Sequence, residues 1–308
     1  MAGSDFPQPS ADQLSGRQRF FVFGLNKSGT TFLQSLINSH PSASCPSEHH
    51  FLSIWKVINS GLEGYRKVIE DFDEKTSRQG VAFNEEITGR DTYRAWLDSL
   101  FLTACREGDT HVGLNDNSLD SNLDFHAELF PDSKFLFILR DPRDVAVSLY
   151  YHRKRTEDGF DIPLSRIASS VGKKWVSVIE NVTNFSEKYP GRIEIVRYED
   201  LISDSKQSSL SRILKFLGLP ASGSITAAMF EANDIARLRK KEATVQGTVE
   251  NGTGCSPETN YGFYRTGTKG GWREELSEAD IESIESSAGR LMKKLLYPLV
   301  SQGEPVPA

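Results

Sequence analysis

A chain of 308 residues with 38% hydrophobic residues can bury a sizeable core, as one large α/β domain or two small ones. Its formal net charge of −6 argues against a general nucleic-acid binder, which needs a broad basic surface against the phosphate backbone, but leaves room for a local basic pocket. The three cysteines, Cys45, Cys105 and Cys255, are odd in number and lack paired ligand spacing, so they suggest neither a disulfide framework nor a zinc site and fit a reducing compartment.

Residues 1–18 carry Pro7 and Pro9 and no apolar run, so they read as a loose tail rather than a signal peptide or membrane anchor. A cytoplasmic location away from membranes is expected. The block Arg19-Phe20-Phe21-Val22-Phe23-Gly24 is short, apolar and closed by glycine, which suits a buried strand. From Thr30 to Asn38, Phe32, Leu33, Leu36 and Ile37 recur at helical spacing until His40-Pro41 stops the run. Strand, tight loop and helix therefore follow one another directly.

Between Asp91 and Glu107, Tyr93, Trp96, Leu97, Leu100, Phe101 and Ala104 form one helical face, with a strand expected near His111 to Leu114 and a short helix over Leu123 to Phe130. Lys134 to Leu139 is the clearest buried strand, and Arg140 stands at its end. Asp141 as N-cap and Pro142 in the first turn start a helix through Val145 to about His152. Ile162 to Tyr189 reads as mostly helical and Arg192 to Tyr198 as a strand. Helices are expected over Ser205 to Leu217, Ile225 to Lys241 and Ser277 to Leu296.

Between the last two lies Ala243 to Gly271, rich in Gly, Thr and Asn and without periodicity, which reads as a lid loop. Strands alternating with helices, with no internal repeat or linker, predict an α/β fold. It is a single domain over residues 19–300, with a central parallel sheet flanked by helices and a P-loop-like strand-loop-helix. Residues 301–308 form a second tail.

The loop Gly24-Leu25-Asn26-Lys27-Ser28-Gly29-Thr30-Thr31 has what an anion cradle needs. Glycines permit the turn, free amides and the helix dipole face the anion, and Lys27 with the hydroxyls adds charge-assisted donors. Gly24 and Gly29 have the spacing of a nucleotide-triphosphate loop, but there Lys and Ser or Thr follow the second glycine, whereas here Lys27 precedes it. A nucleotide kinase or NTPase is thereby disfavoured. A plain helix-start loop is the bland alternative.

Arg140 at a strand end and Ser148 eight residues on, two turns into the next helix, can face one anion at the carboxyl edge of a parallel sheet. Arg140 paired with Asp144 at the surface, with Ser148 in solvent, is the competing arrangement.

Together, Asn26-Lys27-Ser28-Gly29-Thr30-Thr31-Phe32 and the run from Leu139 to His152 resemble two motifs of the sulfotransferases that use 3′-phosphoadenosine 5′-phosphosulfate (PAPS), those for the 5′-phosphosulfate and the 3′-phosphate. Arg197-Tyr198-Glu199-Asp200-Leu201 is similar to the family's Tyr-Glu-Asp element. Arg265-Thr266-Gly267-Thr268-Lys269-Gly270-Gly271-Trp272 resembles its Arg-Lys-Gly-x-x-Gly-x-Trp element, with Thr266 in place of the lysine. These four elements span Phe20 to Trp272 in the family's order.

The resemblance implies that Lys27 binds the 5′-phosphate and bridging oxygen of PAPS, with Ser28, Gly29, Thr30 and Thr31 completing the cradle. It assigns Arg140 and Ser148 to the 3′-phosphate, joined by Arg265, Thr266 and Gly267 from the long loop. It implies adenine recognition by Tyr198 and Phe32, although both also suit core packing. For Trp272 packing is the expectation.

Many cytosolic family members place a histidine base in a Lys-Thr-His segment, but this chain has Gly113-Leu114-Asn115-Asp116-Asn117 there. In the tyrosylprotein and heparan branches the base is a glutamate just after the first helix. In the segment His40 to Phe51, Glu48 occupies that place, with His49 and His50 as substitutes. Without the family frame, Glu48-His49-His50 would read as a solvated loop, and three consecutive side chains point in different directions, so no metal is expected. The implied partner is a small-molecule alcohol or amine acceptor, with neither nucleic acid nor membrane.

Overall fold

Strand β1 (Gln18–Gly24) sits at the centre of the sheet, and its apolar run is buried on both faces. The computed structural model describes residues 14–46, 48–76, 88–234 and 268–300. After β1 come α1 (Thr30–Asn38), β2 (Ala43–Ser44), α2 (Leu52–Thr76), α3 (Gly89–Ala104), β3 (His111–Asn115), α4 (Leu123–Leu129) and β4 (Lys134–Leu139). Then follow α5 (Pro142–Thr156), α6 (Leu164–Lys188), β5 (Ile193–Arg197), α7 (Tyr198–Leu201), α8 (Lys206–Leu217), α9 (Gly223–Ala232), α10 (Trp272–Glu275) and α11 (Glu278–Lys294).

The five strands form one parallel sheet in the order β2-β3-β1-β4-β5. From β1 the chain builds β2 and β3 on one side and then crosses to build β4 and β5 on the other. The order therefore reverses beside β1, and such a switch point leaves a crevice at the carboxyl ends of the strands.

Alternation along the strands divides the interior in two. Phe21, Phe23, Phe135, Phe137 and Leu139 join one core with apolar residues of α3, α4, α5, α6 and α11. Phe20, Val22, Leu136 and Ile138 join a second core under α1, α8 and α9. Burial on both faces is why these strands read as continuous apolar runs.

Capping follows the sequence signals. Asp141 accepts the Arg143 amide at 2.9 Å, with Pro142 as first residue of α5, and Ser277 with Asp280 closes a capping box on α11. Of the predicted helix Ile225 to Lys241, residues 235–241 lie outside the described residues, and the described part, α9, ends at Ala232. Asn233 caps it, donating to the Met229 carbonyl at 2.8 Å and to Ser39 Oγ at 2.9 Å.

Helix α2 was not among the expected elements. Gly61 and Gly64 argue against a helix locally, and none of its residues is fully buried: Leu52, Trp55 and Ile58 near its start pack against the core, too short a stripe to mark the whole helix. Of the lid loop, residues 243–267 lie outside the described residues, as do both tails apart from 14–18. Among the described residues no helix is long and apolar enough to cross a membrane.

Candidate active site

The crevice at the switch point is bordered by the end of β1. Gly24 lies in register with Ile138, and a Cβ there would stand 2.7 Å from the Ile138 carbonyl oxygen and 3.1 Å from Thr30 Cγ2. Only glycine allows the strand, the loop and β4 to meet so closely. The Ser28 amide then donates to the Leu25 carbonyl at 2.9 Å, closing the turn.

Lys27 and Gly29 both adopt left-handed backbone, with φ of 74° and 99°. Gly29 is the N-cap of α1 and supplies no side-chain capping bond, so amides of the first turn remain available to an anion. Ser28 and Thr30 are buried in the turn, while Thr31 and Phe32 are half-buried.

Arg140 follows β4 directly and braces this loop. Its Nη1 donates to the Lys27 carbonyl and its Nη2 to the Thr268 carbonyl, each at 3.1 Å. The Arg140 carbonyl accepts the indole N–H of Trp175 at 2.9 Å. Arg140 Nε is buried without a hydrogen-bond partner among the described residues.

The Arg140 guanidinium lies 4.5 Å from the centre of the Tyr198 ring. Tyr198 is 5% exposed, and a Cβ on Gly29 would stand 2.5 Å from that ring. Phe32 meets it edge to face at 6.2 Å. Tyr198 thus packs beneath both the cradle glycine and the arginine.

Ser148 is half-buried on α5. His152 and Arg155 follow it at four and seven residues, on the same helical face. The Lys27 ammonium is pushed below the ordinary lysine range, chiefly by burial and then by the charge of Arg155, with Glu48 opposing. His152 is pushed down by burial first and then by Lys27 and Arg155. His152 and Arg155, on the Ser148 face of α5, are thus near enough to Lys27 for their charges to act on one another.

Asp144 does not depend on Arg140 as a hydrogen-bond partner. Its carboxylate accepts the Gly270 amide at 2.7 Å and the Trp272 amide at 3.1 Å, anchoring the chain where it enters α10. Burial raises the Asp144 carboxyl above the ordinary range, with Arg140 pulling it back. Trp272 is buried in the core, as expected of a packing residue.

Glu48 reaches the crevice beyond β2. Ser44 pairs with Val112 and Glu48 bridges to Asn115, so four residues advance on one side against three on β3. One extra residue of this kind re-aims the side chains that follow it. The His49 amide donates to the Asn115 carbonyl at 2.9 Å, and Asn117 Nδ2 donates to Glu48 Oε1 at 2.7 Å.

His50 Nδ1 stands 3.7 Å from the same Glu48 oxygen, but its side chain is 73% exposed. Among the described residues no group of three His, Cys, Asp or Glu side chains is arranged to hold a metal ion. Arg265, Thr266 and Gly267 lie outside the described residues.

The structure therefore gathers Lys27, Ser28, Gly29, Thr30, Arg140 and Tyr198 into direct contact or immediate succession, with Glu48 close enough to influence Lys27. The sequence reading missed Asn117, Asp144, His152 and Arg155. The last two carried a usable signal, since Ser148, His152 and Arg155 share a helical period. Asn117 had only its place in the segment Asn115-Asp116-Asn117.

Fold and cradle define an α/β protein with a P-loop-like strand-loop-helix at the switch point of a parallel sheet. A family model described as Sulfotransferase family matches residues 19–223, and the chain belongs to that family.

A protein-tyrosine sulfotransferase of Drosophila melanogaster is 27% identical over 203 residues, covering 65% of this chain and 38% of that protein. The chain thus spans well under half the length of that relative. Cytosolic sulfotransferase 12 of Arabidopsis thaliana is 25% identical over 280 residues, covering 84% of this chain and 72% of that one. The fold is similar to that of retinol dehydratase, solved in complex with androsterone and the inactive cofactor PAP. The TM-score is 0.54 at 17% identity, over 89% of this chain and 80% of that one.

Proposed function

We propose that the protein is a PAPS-dependent sulfotransferase that moves a sulfonate group to a hydroxyl or amine of a small-molecule acceptor. The observation that carries this reading is the hydrogen bond of Arg140 to the Lys27 carbonyl, which brings two anion-binding cations to the switch point. The residues suit a donor with two anionic ends: an uncapped helix start lies beside Lys27, and Arg140 keeps a buried Nε without a partner among the described residues.

Ser28, Gly29, Thr30 and Thr31 hold the 5′-phosphosulfate end, and Arg140 with Ser148 holds the 3′-phosphate. Arg265, Thr266 and Gly267 are assigned to the same phosphate from the sequence motif alone. Phe32 and Tyr198 border the adenine side, with Tyr198 supporting Gly29 and Arg140 from beneath. PAPS, when bound, supplies the sulfonate on a phosphate leaving group and departs as PAP.

Glu48 takes the proton of the acceptor, and Lys27 with the start of α1 neutralises charge developing on the leaving phosphate oxygen. Glu48 is favoured over His49 and His50 because Asn117 and the bridge to Asn115 fix it, whereas the His50 side chain stands largely in solvent. His49 remains the nearest substitute in sequence.

Titration with PAP and with ATP plus magnesium tests the donor. Tight magnesium-independent PAP binding is expected, and binding of ATP alone would overturn the reading. A second acceptor class is favoured by the similarity to protein-tyrosine sulfotransferases, namely a protein side chain, with glycans as a further possibility. Labelled donor offered to small phenols, alcohols and amines, and in parallel to tyrosine-containing peptides and oligosaccharides, separates these: label on the peptide or glycan alone removes the small-molecule assignment.

A further inference from the structure

We propose that Asn117 is a positioning residue whose amide holds the Glu48 carboxylate in the orientation from which it receives the acceptor proton. The proposal rests on the reading of Glu48 as the general base. Asn117 Nδ2 donates to Glu48 Oε1 at 2.7 Å. A carboxylate only accepts, so the amide nitrogen must face Glu48 and the amide oxygen must turn away. That oxygen is buried and has no hydrogen-bond partner among the described residues.

A buried carbonyl left unpaired is unfavourable, so the amide is oriented by what its nitrogen does for Glu48 and not by its own satisfaction. The same bond engages one carboxylate oxygen and leaves the other for the acceptor.

The backbone that carries Asn117 is fixed on three sides. The Asp116 amide donates to the Val22 carbonyl at 3.2 Å, tying the turn to the end of β1. Asp116 Oδ1 accepts the Ser118 amide at 2.8 Å, and Oδ2 accepts the Leu52 amide at the start of α2 at 3.1 Å. The Asn115 carbonyl accepts the His49 amide at 2.9 Å. His49 and Leu52, which follow Glu48, are therefore bonded to the turn Asn115-Asp116-Asn117, which in turn is bonded to the strand that leads into the Lys27 loop. Base and cradle belong to one braced unit, and Asn117 is its side-chain contact to the carboxylate.

The test compares turnover of Asn117→Leu and the isosteric Asn117→Asp with the parent protein, in the natural background and in a Glu48→Gln background. PAP affinity and thermal unfolding serve as controls of folding. Each substitution is expected to lower kcat by about 10- to 100-fold, as a misaligned reacting group does, while PAP affinity stays within about twofold. In the Glu48→Gln background neither should cost anything further, because the carboxylate they act through is gone. Unchanged kcat in the natural background, or equal losses in both backgrounds, overturns the proposal while leaving Glu48 as base. Full turnover of Glu48→Gln alone overturns the base assignment and the proposal with it.

Discussion

Arg140 Nη1 donates to the backbone carbonyl of Lys27, so the cation that follows β4 holds the loop that follows β1. A residue assigned to one end of the nucleotide thereby fixes the shape of the cradle for the other end. Arg140→Gln is expected to weaken PAP binding by about 100-fold, the scale of losing a partly buried charge-assisted contact. Arg140→Lys should fall between, keeping the charge but losing the planar fork that reaches both Lys27 and Thr268. Calorimetric titration with PAP reads both.

Lys27 is expected to act on the rate more than on affinity. Lys27→Met should lower kcat by about 10² to 10³, the usual loss when a group that meets developing charge is removed, with a smaller change in PAP affinity. Single-turnover kinetics with labelled donor distinguishes this from a pure binding defect, which saturating PAPS would rescue.

Gly29→Ala meets two obstacles at once. The backbone is left-handed at φ 99°, and the new methyl would stand 2.5 Å from the Tyr198 ring. Destabilisation of about 2 kcal/mol or more is expected from the backbone penalty and the overpacking together, with PAP binding strongly reduced. Urea unfolding and PAP titration measure the two effects separately.

His126 makes stability depend on acid. Its Nδ1 lies 2.8 Å from the Asn122 carbonyl and its Nε2 lies 3.1 Å from the Tyr93 hydroxyl, and burial lowers its pKa from the ordinary 6.5 to about 4. Below pH 6.5 the unfolded chain binds a proton that the folded protein refuses until about pH 4. The stability present above pH 6.5 is therefore lost as pH falls through this window, by about 3 kcal/mol in all. His126→Gln should flatten that part of the pH–stability curve, and a curve as steep as the parent's would exclude His126 as the cause.

Arg143 is 1% exposed and bound to Asp141 at 2.9 and 2.7 Å and to Glu285 at 2.7 Å, with its guanidinium 3.9 Å from the Trp272 ring centre. Burial works against its charge, but the two carboxylates more than offset that and hold it protonated. Arg143→Met would leave two buried carboxylates facing an apolar chain, at a cost of about 3–5 kcal/mol. Chemical denaturation followed by intrinsic fluorescence gives the number.

The sheet was legible because β1 and β4 are buried on both faces, which writes an unbroken apolar run into the sequence. The cradle was legible because glycines at fixed spacing between a strand and a helix have few other uses. Helix α2 was not legible, since only Leu52, Trp55 and Ile58 near its start pack against the core and none of its residues is fully buried. The hold on Glu48 was hidden for a different reason: it depends on one extra residue between Ser44 and Glu48 relative to β3, and on an asparagine more than sixty residues away. Neither register offsets nor long-range amide contacts leave a local trace.

Lys27 itself holds a backbone conformation that a side-chain-bearing residue adopts only at a cost of about 1 kcal/mol, and it does so with its ammonium partly desolvated. Stability and turnover are therefore opposed at a single position. Lys27→Gly should leave the ligand-free protein at least as heat-resistant as the parent while removing its chemistry. A population of variants selected for thermal robustness alone would be free to abandon the lysine, whereas one selected for sulfonate transfer would keep it and bear the strain.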